Sequence, residues 1–589
     1  ERNIRRGAYE DAFAKAKTVV SGEYKTGIQE HWYAEPQGAI ALYTQAGARI
    51  TIRTATQWPF HVKRSAASVL DVPLSQISVE GTAMGLHMDG KIWYPSLLSC
   101  HAALAASIMK KNVKLMLTRK EDFFFSPKRN GAEIYIRSAL GEKGELLAME
   151  INVEVNLGAQ GVFTDEILDQ TCLGALGICQ IPCLKLEGKA VRTNLPPQGP
   201  FSGFGLAQGF FAMERHVSQI ADMLRTDPGE WRKNNHLRRG GSLAVDVPVK
   251  DPPPVERLLD TAAAISDYSR KWASYELLRQ SRKENGAWER GEPLRGIGIA
   301  AAWQGNGFLY SGDGVDKGLY AVELTLEKDG SLEIKTSMVA SNDNYTRIWG
   351  SIASEILAID AGMVRIISGH TEQAPDSGPA SLSRNIAILT KLVENACIAI
   401  RKQRFRDPLP ITVRRGSRPS KGIIWGETGD KPLYFDKNSL SRLSWGAAVV
   451  EVEIDPVEYT PGVRGVWLGI DGGKILLEEQ ARRCLRAGVV QALGWASLEH
   501  LEYAGGLISG GHTEDYNIPD LQTIPPVGIG FLRNDAADPK GIGELPFNCV
   551  PAAFVQAVSQ AMDHPFTGIP LTALDIWEAG KLKKKESAL

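Results

Sequence analysis

The sequence predicts an α+β fold built from mixed α/β sheets, not a TIM barrel or a doubly wound sheet. Three observations predict it. Strand-like and helix-like stretches mix along the chain without a strict β-α-β period. The 589 residues are enough for large cores, roughly three to four domain-equivalents. A triple proline inside the stretch from Gly241 to Val255 stops any regular element. It marks a boundary between two large parts, 1–244 and 256–589, with 245–255 as the linker.

The elements follow in order. Residues 7–20 have helical spacing (Tyr9, Phe13, Ala16, Val19, Val20). Ile40–Tyr43 and Ile50–Arg53 are β-rich pieces. Val62, Ala66, Val69 and Leu70 predict a helix over about 60–70, with Gln57 just before it. A strand at 76–80 leads into a loop from Gly81 to Lys91 with glycines at 81, 85 and 90, which lets backbone approach another segment or a ligand. An Ala-rich helix at about 95–110 contains His101, read as a helix-packing or core histidine, and a strand follows at 113–118. Strands within 132–156 flank the turn Gly141-Glu142-Lys143-Gly144. The Pro/Gly-rich loop from Asn194 to Gly209 feeds a helix carrying Met213, Glu214 and Val217. Such a constrained loop shapes a pocket or forms a stiff crossover.

In the second half, helices run to about 285 and a strand covers 296–300. A hairpin joins 319–326 to 331–338, a helix covers 345–357 and a strand 363–368. The Ser/Gly run from Pro375 to Asn385 precedes a long helix to about 403 and suits an anion such as a phosphate. Strands at 445–454 and 463–470, a helix at about 476–500 and a strand at 527–532 lead to Lys540-Gly541-Ile542-Gly543-Glu544-Leu545-Pro546. There one carboxylate sits between tight backbone and an Ala-rich helix. It is either a helix-capping acid or a group positioned for chemistry.

Composition narrows the classes. Hydrophobic content of 43% and charged content of 23% are ordinary for a globular protein, and a net charge of -1 argues for neither nucleic acid nor a membrane surface. No apolar run spans a membrane. Seven scattered cysteines argue against a disulfide framework and for a reducing, cytoplasmic compartment; the Cys179–Cys183 pair reads as buried thiols. The ten histidines form no metal-binding spacing, and no dinucleotide or Walker loop is present. The basic tail Lys581–Lys585 reads as a solvated end.

An ordered set of blocks then resembles the molybdenum-cofactor-binding large subunit of the xanthine dehydrogenase / aldehyde oxidoreductase family, over nearly the whole chain. The blocks are Glu35-Pro36, Thr56-Gln57, the loop Gly85 to Lys91, Thr193–Pro196, and Phe201-Ser202-Gly203-Phe204-Gly205 with Gln208-Gly209. Ala212–Arg215, Asp376–Pro379, Gly488–Gly494, Tyr516 with Ile518-Pro519, and Lys540–Pro546 complete the set.

The resemblance implies two large α+β domains with an elongated pterin wedged between them, and a further small α/β domain that this sequence lacks before Glu1. It implies a molybdopterin, as the mononucleotide or the cytosine dinucleotide, with molybdenum held by the pterin dithiolene and by no protein ligand. It implies hydroxylation of an N-heterocycle or aldehyde with water as oxygen source. Electrons would leave to partner subunits carrying 2Fe-2S and FAD. Glu544 matches the general base. Gln57 matches the glutamine that hydrogen-bonds an oxygen ligand of the metal. Met88, Phe204, Gly205, Gly541 and Gly543 match the loops around the cofactor. Ser202 and Phe204 match the substrate pocket. Ser381 and Ser383 are expected near a cofactor phosphate. The sequence also departs from the pattern. Ser202 stands for the family's Arg, Met88 for its Phe, and Ser341-Asn342-Asp343 for its Gly-Gln-Gly; Arg482, Arg483 and Arg486 stand where small or polar residues are common. These departures support a second reading, a cofactor-free scaffold or assembly partner.

Overall fold

A computed structural model describes residues 1–238, 253–285, 293–308, 320–339, 344–417, 443–509 and 516–587, together with the short strand pieces 242–243, 247–248, 423–425 and 432–435. Helices and mixed sheets alternate irregularly, as expected, and among the described residues no barrel forms. A six-stranded sheet runs in the order Arg2–Arg6, Cys183–Val191, Leu146–Asn156, Ala132–Leu140, Thr18–Thr26, Gly568–Ile569. Its last strand comes from the far end of the chain and pairs parallel with Lys25 and Thr26. A four-stranded sheet (Ile77–Gly81, Arg49–Thr54, Gly38–Thr44, Val113–Met116) is covered by helices Pro59–Leu70 and Tyr94–Met109.

The second half holds two four-stranded sheets. One orders Leu294–Gln304, Ser444–Ile454, Pro461–Asp471 and Val527–Phe531. The other orders Val364–Ser368, Leu332–Thr336, Tyr320–Leu326 and Ile411–Ser417. The helix Leu545–Met562 is the centre of the main core: all of its residues are buried. It lies on the strands Leu294–Gln304 and Ser444–Ile454 and against the helix Leu206–Leu224. Two strand glycines allow this approach. A Cβ at Gly296 would stand 2.0 Å from Ala557 O, and one at Gly298 2.1 Å from Ala553 O. The helix in turn offers the strand polar groups, since Gln560 and Gln556 accept from the Ile297 and Ile299 N–H, each at 2.9 Å.

Some expectations change. The helix expected over 7–20 covers only Tyr9–Ala14, and Thr18–Thr26 is a strand paired with Ala132–Leu140. The β-branched run Thr18-Val19-Val20 follows strand sterics over helical spacing once a partner strand is present. His101 faces solvent instead of packing. Cys179 is buried but Cys183 is half-exposed. The helix expected to reach 500 ends at Leu493, with a wider π turn over Gly494–Leu498. The Ser341-Asn342-Asp343 position and most of the 245–255 linker lie outside the described residues.

Candidate functional site

Glu544 immediately precedes the buried helix, and Pro546 sits in that helix's first turn. Its carboxylate does not cap the helix. The capping work falls to Gln304, whose Oε1 accepts from the Glu544 and Leu545 N–H at 2.9 and 3.0 Å. The same amide donates to Glu544 Oε2 at 2.9 Å and to Ser383 Oγ at 3.0 Å, while Ser383 Oγ donates to Glu544 Oε1 at 3.3 Å. The preceding turn is tied down by Asn306, which accepts from the Gly541 N–H at 2.8 Å, and by Ser444, which donates to Gly541 O. The carboxyl group, 6% exposed, is therefore turned sideways and held from two sides. Burial first, and then the nearby Asp89, push its pKa up to about 8.

The facing wall is the loop Gly85 to Lys91. Met88 and Asp89 take consecutive left-handed conformations (φ 47° and 67°), a costly backbone for residues with a Cβ. The loop is pinned by the buried Lys91 ammonium on Glu35, by the Gly85 N–H donating to Glu35 Oε1 at 3.2 Å, and by the Ser202 N–H donating to Met88 O at 2.9 Å. The Glu35-Pro36 block thus supports this loop. Gln57 is fully buried behind it. Its Nε2 donates to Asp89 Oδ1 at 2.9 Å and to Ala380 O at 2.7 Å, and its Oε1 accepts from the Lys91 N–H at 3.0 Å.

Between these walls lies a cavity of about 680 Å³. Met88, Ser202, Ser381, Ser383, Gly541, Gly543 and Glu544 all line it. Gln57, Phe204 and Gly205 do not form its wall. Phe204 instead packs its ring edge-on to Phe163 and Phe308, at 5.7 and 5.4 Å. Gly205 lets two helices touch, since a Cβ there would meet Thr171 Oγ1 at 2.2 Å.

Sequence reasoning missed three residues. Asp89 lines the cavity, but one acid in a Gly-rich loop carries no local signal. Gln304 ends a strand 240 positions from the carboxylate it holds. Arg129 is buried between the rings of Phe201, Trp495 and Phe547, at 4.0, 4.3 and 5.1 Å. It donates to Gln29 Oε1 at 3.0 Å and to Ser202 O at 3.3 Å, and among the described residues it makes no ion pair. Burial pulls its pKa down to about 9.

The cavity is lined by both polar and apolar side chains. Its volume is in the range of cofactor sites. Hydroxyls of Ser381 and Ser383 and the amide of Gln491 meet its space. Gly543 and Cys484 both border this space. Among the described residues no group of three or more His, Cys, Asp or Glu is placed to hold a metal ion.

The molybdopterin cofactor-binding domain family matches residues 1–236 with one model, and 270–406 and 425–525 with a second. A probable xanthine dehydrogenase subunit from Bacillus subtilis (strain 168) is 24% identical over 97% of this chain and 78% of its own length. Aldehyde oxidase 4 from Cavia porcellus is 25% identical over 92% of this chain, which spans only 41% of that protein. Among solved structures, quinoline 2-oxidoreductase from Pseudomonas putida 86 superposes with a TM-score of 0.84 at 20% identity, covering 98% of this chain and 78% of that one. The aldehyde oxidoreductase from Desulfovibrio gigas gives 0.82 at 22%, covering 98% and 63%. Family models and relatives together define a molybdopterin cofactor-binding chain of the molybdenum hydroxylase class. The chain belongs to the molybdopterin cofactor-binding family, among the xanthine dehydrogenase and aldehyde oxidoreductase relatives.

Proposed function

We propose that this chain is the cofactor-binding subunit of a molybdenum hydroxylase that oxidises an N-heterocycle or an aldehyde, taking oxygen from water. One observation carries the reading: the single carboxylate at the Gly541–Glu544 turn faces the cavity and is held for it by Gln304 and Ser383. A molybdopterin bound here would supply the redox chemistry and the activated oxygen. The residues of the chain would do the rest. Glu544 is the general base, and burial gives it a proton affinity matched to that work near neutral pH. Gln304 and Ser383 keep its oxygens aimed. Ser381 and Ser383, with Gly541 and Gly543, form the cofactor's bed, and Met88 and Ser202 bound the substrate space. Ser202 stands where the family pattern has an Arg, and we read the space beside it as one for a neutral heterocycle or aldehyde.

The cofactor is read as the mononucleotide or the cytosine dinucleotide, with Lys474 and Arg483 at the cavity wall available to an anionic end. Electrons would pass to partner subunits holding 2Fe-2S and FAD. A cytoplasmic setting is proposed from seven free cysteines, and two cofactor-binding halves, 1–244 and 256–589, from the proline-rich stretch between them. No helix among the described residues is long and apolar enough to cross a membrane.

The test is Glu544→Gln in the assembled complex. Molybdenum content stays unchanged while turnover falls by roughly 10²–10⁴-fold. Near-normal turnover would contradict the assignment. The second reading, a cofactor-free scaffold, is favoured by Ser202 and by the full engagement of Gln57. Metal-free protein from a molybdenum-sufficient host would establish it.

A further inference from the structure

A carboxamide has two N–H donors and one carbonyl acceptor. In Gln57 all are engaged by the chain itself: Asp89 Oδ1 and Ala380 O take the donors, and the Lys91 N–H fills the acceptor. Gln57 is also not part of the cavity wall, whereas Asp89 is. The carboxyl group thus stands between the amide and the space it would otherwise serve. Asp89 is kept there in a left-handed conformation, next to a second one at Met88. The chain sustains that backbone cost through the Lys91–Glu35 pair and the Ser202–Met88 bond.

We infer that Asp89 is the side chain that meets the metal end of the cofactor in this protein, and that Gln57 acts through it as a positioning residue. The inference rests on the cofactor-binding reading above.

Titratable groups surround Asp89. Glu544 lines the same cavity, and Asp89 raises the pKa of that carboxyl. His87 Nδ1 is 4.0 Å from Oδ1, and burial holds that imidazole toward its neutral form. The Lys91 ammonium turns away to Glu35. Gln57, Ser381 and the Leu382 backbone favour the carboxylate, but burial outweighs them and raises the pKa. Asp89 thus presents to the cavity a carboxyl group that the Gln57 amide holds in place.

The experiment uses the full complex, with wild type, Asp89→Asn, Asp89→Gly and Gln57→Ala. Three quantities are read: molybdenum per chain, the electron paramagnetic resonance spectrum of the partly reduced metal at pH 6 and pH 9, and the kcat and KM values. Asp89→Asn is expected to keep its molybdenum and to shift the spectrum at both pH values. It is expected to lower kcat at least about tenfold with KM within about threefold. Asp89→Gly shifts the spectrum as well, and Gln57→Ala moves it less than either. A spectrum that Asp89→Asn leaves unmoved at both pH values in molybdenum-loaded protein overturns this inference alone. Molybdenum-free wild-type protein overturns the cofactor-binding reading, and this inference with it.

Discussion

Replacing Glu544 by Gln stabilises the folded chain at alkaline pH, by an amount that grows as pH rises. The carboxyl group has an ordinary pKa of 4.5 and is pushed up to about 8 by burial and by Asp89. The folded value lies above the unfolded one, so the native state keeps a proton that the unfolded chain has released. The carboxyl's contribution to stability is complete below about pH 4.5 and is lost progressively as pH climbs to about 8. Each pH unit in that window is worth about 1.4 kcal/mol, so the whole window amounts to roughly 5 kcal/mol. Gln keeps the same contacts, because Gln304 Nε2 donates to the new carbonyl and Ser383 Oγ accepts from the new amide. The substitution therefore removes the ionisation and little else, apart from easing the ionisation of Asp89, with which the group titrates as a pair.

A chain of 589 residues unfolds with an entropy of roughly 1.2 kcal/mol/K, so roughly 5 kcal/mol corresponds to a Tm difference of about 4 °C. Thermal unfolding of wild type and Glu544→Gln between pH 5 and pH 9 gives the test. The two Tm curves should lie close together near pH 5 and diverge to about 4 °C in favour of the variant by pH 9. Parallel curves, offset by the same amount at every pH, would refute the reasoning. They would mean that Glu544 ionises near its ordinary value and that neither burial nor Asp89 controls it.

Three further outcomes follow from the same geometry. In the loaded complex, kcat/KM should climb with pH to a plateau above about 8, and Glu544→Gln should flatten that limb in a pH-rate profile. Gly298→Ala places a methyl 2.1 Å from Ala553 O and pushes the Glu544-bearing helix off its strand; urea unfolding should show a loss of about 2–4 kcal/mol, with reduced activity. Arg129→Ala empties the space between Phe201, Trp495 and Phe547 and strips a donor from Gln29. Denaturant unfolding should show a loss of roughly 3–5 kcal/mol, and Arg129→Lys, which lacks the flat guanidinium, should recover only part of it.

Much of this protein is legible in its residues taken locally. Alternation in Ile40–Tyr43 and Ile50–Arg53 announces two paired strands, and the turn at Gly141–Gly144 announces another pair. The Gly/Pro frame around Glu544 announces a held carboxylate. The order of short blocks announces the family, because each block is a contiguous loop whose backbone must take one shape. Such signals work because periodicity and turn chemistry act between residues a few positions apart. Partners chosen across the chain leave no such trace. Val19 and Val20 satisfy helical spacing until Ala139 and Ser138 offer a strand edge. Gly568–Ile569 joins a sheet begun more than 500 residues earlier. Gln57 looks like an exposed amide at a strand end until Asp89 and Ala380, 32 and 323 positions away, engage both its donors. Local residue patterns are thus enough for the class of fold and for the carboxylate at its centre. Which side chains face the cavity is settled in three dimensions, because burial and hydrogen-bond saturation are properties of neighbours brought together only when the chain closes on itself.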